Sequence, residues 1–442
     1  MCLFLLAECP ATYFVAFLDN YRARTIRLLY FLSGIGKTAA TVKVSGEAEL
    51  VEAELIPRNF TTFSFSPAHK QIAEVTVDND DVTEMIGCNE ELGSMDAFAA
   101  LPVSSNRNST EEYFAVTVRT SIHYGTAIDG LVLIVGSDED TLVEVEVPLA
   151  CHAEFKGVVT KMSPGKHHTF VIDKRDTILI TSNRDLTGTK VTANKALTVY
   201  SGHECAFLPM DSASCDHLVE QVPPVRLWGK EYVLTPFLQR RSGDLVKIVA
   251  AREDTQVIIR CVNSAGSGFK NRPVETVIPL GAGQSHEFLL GASEFCHVSA
   301  NEPILVTQFS LNKQNENIGG PFMLLVPDIN KPVNNISFIS IDTHRHRFHH
   351  FISFIVKAGF SEIQRIYLDD SRVHLTNTAY QVLEFGRGLT FVSIRMSVRP
   401  GYHHLRHDND RNLFALLVYG FARDVSYGYS LGYHQGALVI SL

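Results

Sequence analysis

The feature that most constrains this fold is an internal repeat with a spacing of about 100–115 residues, counted from Val42 through Val143 and Val257 to Ile366. That spacing is too long for the common solenoid periods. Four elements recur. The first is an apolar run at 131–135, a turn Gly136-Ser137-Asp138-Glu139-Asp140-Thr141 and an alternating run at 142–147. It returns at 246–250, 251–255 and 256–260, and more loosely at 27–32 leading to 41–44 and at 354–357 leading to 365–368. A turn of Asp, Gly and Thr between β-rich runs predicts a hairpin. The second element is a glycine turn entering a strand, at Gly165, Gly283 and Gly386. The third opens on Asn194, Asn301 and Asn412 and continues as an apolar strand. The fourth is an apolar run ending on proline, at 96–102, 216–223 and 320–327.

Each repeat holds about seven or eight short strands with turn signals every 8–12 residues, the pattern of a sandwich or jelly roll. The expected fold is all-β, with four tandem β-sandwich/jelly-roll-like repeats at 11–103, 104–224, 225–327 and 328–442. A β-propeller-like arrangement, with two four-stranded blades per repeat, fits the same strand count and stays open. No run places apolar residues at i, i+3, i+4 and i+7 between caps, so no helix is expected.

Composition narrows the function. Of 442 residues, 45% are hydrophobic and 20% charged, enough for a real core. The net charge is −9 and basic residues form no run, which argues against nucleic acid as a partner. No apolar stretch reaches about 18 residues, so no membrane-spanning helix is expected. Residues 1–7 are apolar and short; they suit either a truncated signal peptide or a first strand. The eight cysteines are scattered, without the CxxC pairs of zinc or redox motifs. That usage suits disulfides and an oxidising compartment, as do three glycosylation sequons at Asn59, Asn108 and Asn335. An extracellular location follows.

Motifs with chemical overtones give way to simpler readings. Gly34-Ile35-Gly36-Lys37-Thr38 lacks the first P-loop glycine, since Phe31 stands there, and it leads into a strand; it is taken as a hairpin turn. The cluster at 344–350 would put His344, His346 and His350 on one strand face, but nothing completes a metal set and arginines intervene, so a solvated strand or loop is expected. The histidines at 402–408 are treated alike. Val77-Asp78-Asn79-Asp80-Asp81 lacks the glycine and final glutamate of a calcium loop. His217 and Glu220 point to opposite faces if 216–223 is a strand. No nucleophile elbow is present. No catalytic residue, cofactor or metal is expected.

One stretch is distinctive: Tyr200-Ser201-Gly202-His203-Glu204-Cys205, then Cys215-Asp216-His217-Leu218-Val219-Glu220-Gln221-Val222-Pro223-Pro224, then Trp228-Gly229-Lys230-Glu231-Tyr232. With 96–102 and the ending Tyr427-Gly428-Tyr429-Ser430-Leu431-Gly432-Tyr433, it closely resembles the N-terminal domain of the IgG Fc-binding protein family of secreted mucus proteins. The resemblance runs from about Ala11 to Tyr433. It implies a secreted, non-enzymatic module that binds an extracellular protein or glycoprotein, such as a mucin or an immunoglobulin. It also implies a Cys205–Cys215 disulfide, and the short, turn-rich loop between these residues agrees. Cys261 with Cys296 is a second candidate pair; Cys88 with Cys151 and Cys2 with Cys9 are further ones. The ligand would dock on loops or on sheet faces between repeats, with the histidine-rich strands of the fourth repeat as contact surface. A carbohydrate-active enzyme on a β-scaffold is the alternative.

Overall fold

A computed structural model of the chain describes residues 11–433 apart from 22–24, 34–37, 45–49, 66–71, 78–81, 104–109, 120–121, 124–125, 265–272, 313–317, 332–334, 358–359, 375–377, 387 and 409–413. The chain is all-β: among the described residues the two helical pieces are the 3-10 turns Val225–Leu227 and Phe360–Arg365. The alternation seen in the sequence accounts for strand orientation. Thr141–Glu146 buries Thr141, Val143 and Val145 and turns Leu142, Glu144 and Glu146 outward. The glycines that open the second element sit at φ 70°, 72° and 81° (Gly165, Gly283 and Gly386), where a side chain is strained.

The strand–turn–strand element is not a hairpin, which corrects the sequence expectation. Gly130–Gly136 pairs with Thr177–Ser182 and Leu197–Ala206. Thr141–Glu146 pairs with His167–Ile172 and Lys190–Ala193 in a different sheet. Ile26–Ser33 and Thr38–Val44 are split between sheets in the same way, so the turn around Gly34 is no hairpin either, and residues 34–37 themselves lie outside the described residues. Asp244–Ala250 and Thr255–Asn263 run along opposite halves of the long strand Glu294–Ser310. Both flanking runs carry an apolar face, and crossing from sheet to sheet lets those faces meet across one interior.

This crossing explains why two repeated elements travel together. Asp140 and Asp254 adopt φ 47° and 54° at equivalent points of the turn. Thr141 Oγ1 donates to the Asp138 carbonyl at 2.8 Å, and Thr255 Oγ1 to the Arg252 carbonyl at 2.6 Å. The third element's asparagines hold the same turns: Leu142 N donates to Asn194 Oδ1 at 2.9 Å and Gln256 N to Asn301 Oδ1 at 2.6 Å.

The fourth element builds the centre of the molecule. Ser94–Ala99, Asp216–Val222 and Phe322–Leu325 are strands buried along their whole length. So is Ser426–Leu431, within the 427–433 ending. Each pairs on one side with the strand preceding it in its own sheet. Their other sides meet in a ring: the first and third strands each pack against both the second and the fourth. At Gly428 a Cβ would sit 2.2 Å from the Phe322 ring, so that approach requires glycine. Asp96 joins all four strands. Its Oδ1 accepts from Ala97 N at 2.9 Å and Gly428 N at 3.2 Å, and its Oδ2 from Val219 N at 3.1 Å and Met323 N at 3.2 Å. Asp216 accepts from Met95 N, His217 N and Ser426 N at 2.7, 2.9 and 3.0 Å, and Glu220 from Leu325 N at 3.2 Å. Burial pushes all three carboxyls well above their usual range, and these N–H donors pull the other way.

Candidate functional site

The block with the distinctive sequence is structural rather than ligand-facing. Cys205 and Cys215 form a disulfide with Cα atoms 5.1 Å apart, at the edge of the central ring. His203, His217, Asp216 and Glu220 are buried, so none of them meets a macromolecular ligand. His217 Nε2 contacts Asn89 Nδ2 at 3.1 Å, and Cys205 N donates to His203 Nδ1 at 3.2 Å. Burial lowers the His203 pKa to about 3 and that of His217 to about 4. Such groups stay neutral in the fold but charge in the unfolded chain near pH 6.5. Their contribution to stability is therefore present above about pH 6.5 and is lost as the pH falls toward the folded values. Unfolding free energies from denaturant titrations between pH 7 and pH 4 should fall more steeply in the wild type than in His203→Gln, by up to about 1.4 kcal/mol per pH unit.

Cys261 and Cys296 form a second disulfide, with Cα atoms 4.1 Å apart. Cys88 and Cys151 are free and buried, which overturns the pairing considered for them; they belong to different apolar cores. Cys2 and Cys9 lie outside the described residues. Among the described residues, Cys261, Glu294 and Cys296 come within ligating distance of one another, but both sulfurs are consumed in the disulfide. Asn59 and Asn335 are exposed, at a turn and at a strand start; Asn108 and residues 78–81 lie outside the described residues.

Among the described residues, an open groove of about 750 Å³ lies between two distant stretches of chain and can accept a ligand. One wall is the outer face of Ile26–Ser33 and Phe60–Phe65; the other is the segment 339–347 with Pro400 and Gly401. Strand alternation sets the first wall. Ile26, Leu28 and Tyr30 face the groove, while Leu29 and Phe31 point into the core. Tyr30 and Phe60 meet edge to face at 5.9 Å on its floor. The other wall carries charge. Thr343 Oγ1 donates to Glu90 Oε1 at 2.5 Å and accepts from His346 N at 3.0 Å. Asp342 accepts from Phe348 N and Arg347 Nη1, each at 3.0 Å, and lies 3.1 Å from His350 Nε2. Burial works against the Asp342 charge, but those donors prevail and hold its carboxyl below the usual value.

The histidine-rich segment takes the loop form of the strand-or-loop expectation. Residues 341–348 are not strand, so His344, His346 and His350 share no strand face. His344 and His349 are exposed, His346 is half-buried, and His350 is buried with Nδ1 2.9 Å from the Tyr427 hydroxyl. His403 is also buried, 2.7 Å from Asp369. The carboxylates that hold these rings are close in space but not in pattern, so sequence spacing could not reveal them. Glu90, Tyr30 and Phe60 were missed as groove residues for the same reason: their strands meet the histidine segment only in the folded chain.

The family model described as "IgGFc binding protein" matches residues 96–420. The chain is also 33% identical over 150 residues to a Homo sapiens protein described as "IgGFc-binding protein". That match covers 34% of this chain and 2% of the relative, so the chain spans a small part of the relative's length.

Proposed function

This chain belongs to the IgGFc-binding protein family, and from that premise we propose that it is a non-catalytic binding module of an extracellular protein, with its ligand seated in the groove beside Tyr30 and Phe60. The observation that carries the reading is the groove itself, an aromatic and aliphatic floor facing a wall of paired charges. An interface of this kind combines apolar anchors with oriented polar groups. The ligand class is a protein or glycoprotein, such as an immunoglobulin Fc or a mucin.

The chain is proposed to comprise four tandem sandwich units, at 11–103, 104–224, 225–327 and 328–442. Support comes from the crossing turns: in the first, second and fourth units they join strands of different sheets, whereas a propeller blade pairs consecutive strands within one sheet. The paired cysteines and the exposed Asn59 and Asn335, with Asn108 as a third glycan acceptor, support an extracellular setting.

The test is biolayer interferometry of the chain secreted from a eukaryotic host, with glycopeptides mapped in the same preparation, against immobilised Fc and against purified mucin. Thr62→Arg fills the groove from one wall and Arg347→Glu reverses a charge on the other; each side chain is exposed. Each should weaken binding about tenfold or more, equivalent to about 1.4 kcal/mol, while the remote Lys230→Glu does not. Equal affinity in all three, or no binding to either ligand, removes the groove from consideration.

A further inference from the structure

We infer that two free sheet edges of this chain join copy to copy, the edge of Val158–Met162 in one molecule pairing antiparallel with the edge of Val274–Leu280 in the next. Each strand is the last of its sheet, and no described strand covers its outer side. Both expose apolar side chains: Val158 and Val159 are 64% exposed, and Val274 and Val277 are 70% and 51% exposed. Edge strands of soluble proteins are normally blunted, because an unpaired backbone row is a template for another chain.

The occupant follows from complementarity. Read antiparallel, Val159-Thr160-Lys161 meets Val277-Thr276-Glu275: valine on valine, threonine on threonine, lysine on glutamate. Like cross-strand partners and opposite charges are the favourable pairs of a sheet. Glu275 already bonds Arg260 at 2.7 Å within its own sheet, so Lys161 would extend a charge ladder rather than bury a lone charge.

The backbone supports the same register. Val158–Met162 follows a two-residue turn, Lys156 and Gly157 at φ 49° and 77°, that closes on the Phe155–Val158 pair. Hydrogen-bonded and non-bonded pairs alternate from there, which turns the N–H and C=O of Val159 and Lys161 outward. On the other strand Pro279 has no N–H to give its partner Gln256, so its position faces outward. By the same alternation Val277 and Glu275 face outward with it. The residues whose free backbone groups would meet are thus the same residues whose side chains match.

Because the two edges differ, the contact is heterologous and repeats from one molecule to the next. A short edge contact is weak singly, and an array of copies would present many ligand grooves with gained avidity. The inference is independent of where the ligand binds.

The full chain carrying Thr160→Cys, mixed with the full chain carrying Thr276→Cys, tests it under mild oxidation. Both positions are exposed, and the pair is a non-bonded one, whose Cα separation of about 4.5 Å suits a disulfide. The expected result is a linked dimer in the mixture and not in either variant alone, with concentration-dependent sedimentation of the wild type weakened several-fold by Lys161→Glu. Linkage equal in the single variants, or no linkage together with a monomer at every concentration, overturns it.

Discussion

Replacing Asp96 by asparagine should unfold the centre of the molecule. The carboxylate receives four backbone N–H groups, one from each strand of the central ring. It is fully buried, so no water can substitute for it. An amide keeps one acceptor oxygen and turns an NH2 toward two of those N–H donors. Leaving a buried donor unpaired costs about 1–3 kcal/mol. Two broken bonds therefore cost on the order of 4 kcal/mol, a large share of the roughly 5–15 kcal/mol that holds a domain folded. Urea unfolding followed by tyrosine fluorescence should show the midpoint collapse in Asp96→Asn, while the exposed Asp254→Asn stays near wild type. A midpoint within about 1 kcal/mol of wild type would show that packing rather than the carboxylate fastens the ring.

Lys247→Met should produce the second large loss. Lys247 is completely buried, yet its ammonium is fully engaged: 2.7 Å from both Asp185 and Glu287, 2.8 Å from the Thr117 carbonyl and 3.1 Å from Thr187 Oγ1. Asp185, Thr117 and Thr187 lie in an earlier stretch of chain, so this one side chain clamps two regions together. Methionine retains the stem and removes the charge, leaving Asp185 without its counter-ion. Breaking a buried pair from one side costs about 3–5 kcal/mol, and the partial exposure of both carboxylates places the expected value toward the low end. The pH dependence supplies a second reading. Burial raises the Asp185 pKa, but Lys247 and Thr187 outweigh it and leave the carboxyl below its ordinary value. A depressed acid stabilises the fold above its unfolded pKa, near 3.8, and that stability is lost as the pH falls through the folded value. In Lys247→Met this acid-side loss should vanish. An unchanged acid limb would mean that Asp185 owes its low pKa to its hydroxyl and backbone donors instead.

These two carboxylate sites also show where sequence reasoning stops. Asp96 and Asp216 head repeated apolar runs, so their recurrence was legible; that the runs converge on one ring was not. Lys247 reads as a single polar residue inside an apolar run, and nothing local shows which groups it clamps.

The sequence by itself determined the class and the local grammar of this protein. Side-chain alternation and the left-handed turn positions at Gly165 and Gly283 are short-range effects, and short-range effects are written in adjacent residues. The family block around Cys205 and Cys215 was likewise visible as a pattern. Only the tertiary structure decided which strands pair. A turn such as that at Asp140 serves a hairpin and a sheet-to-sheet crossing equally well, and Leu131 finds its neighbours at Thr181 and Gly202, far along the chain. The groove is decided the same way, because its walls come from residues near 28 and near 343, and their apposition is set by the closing of the central ring rather than by any motif.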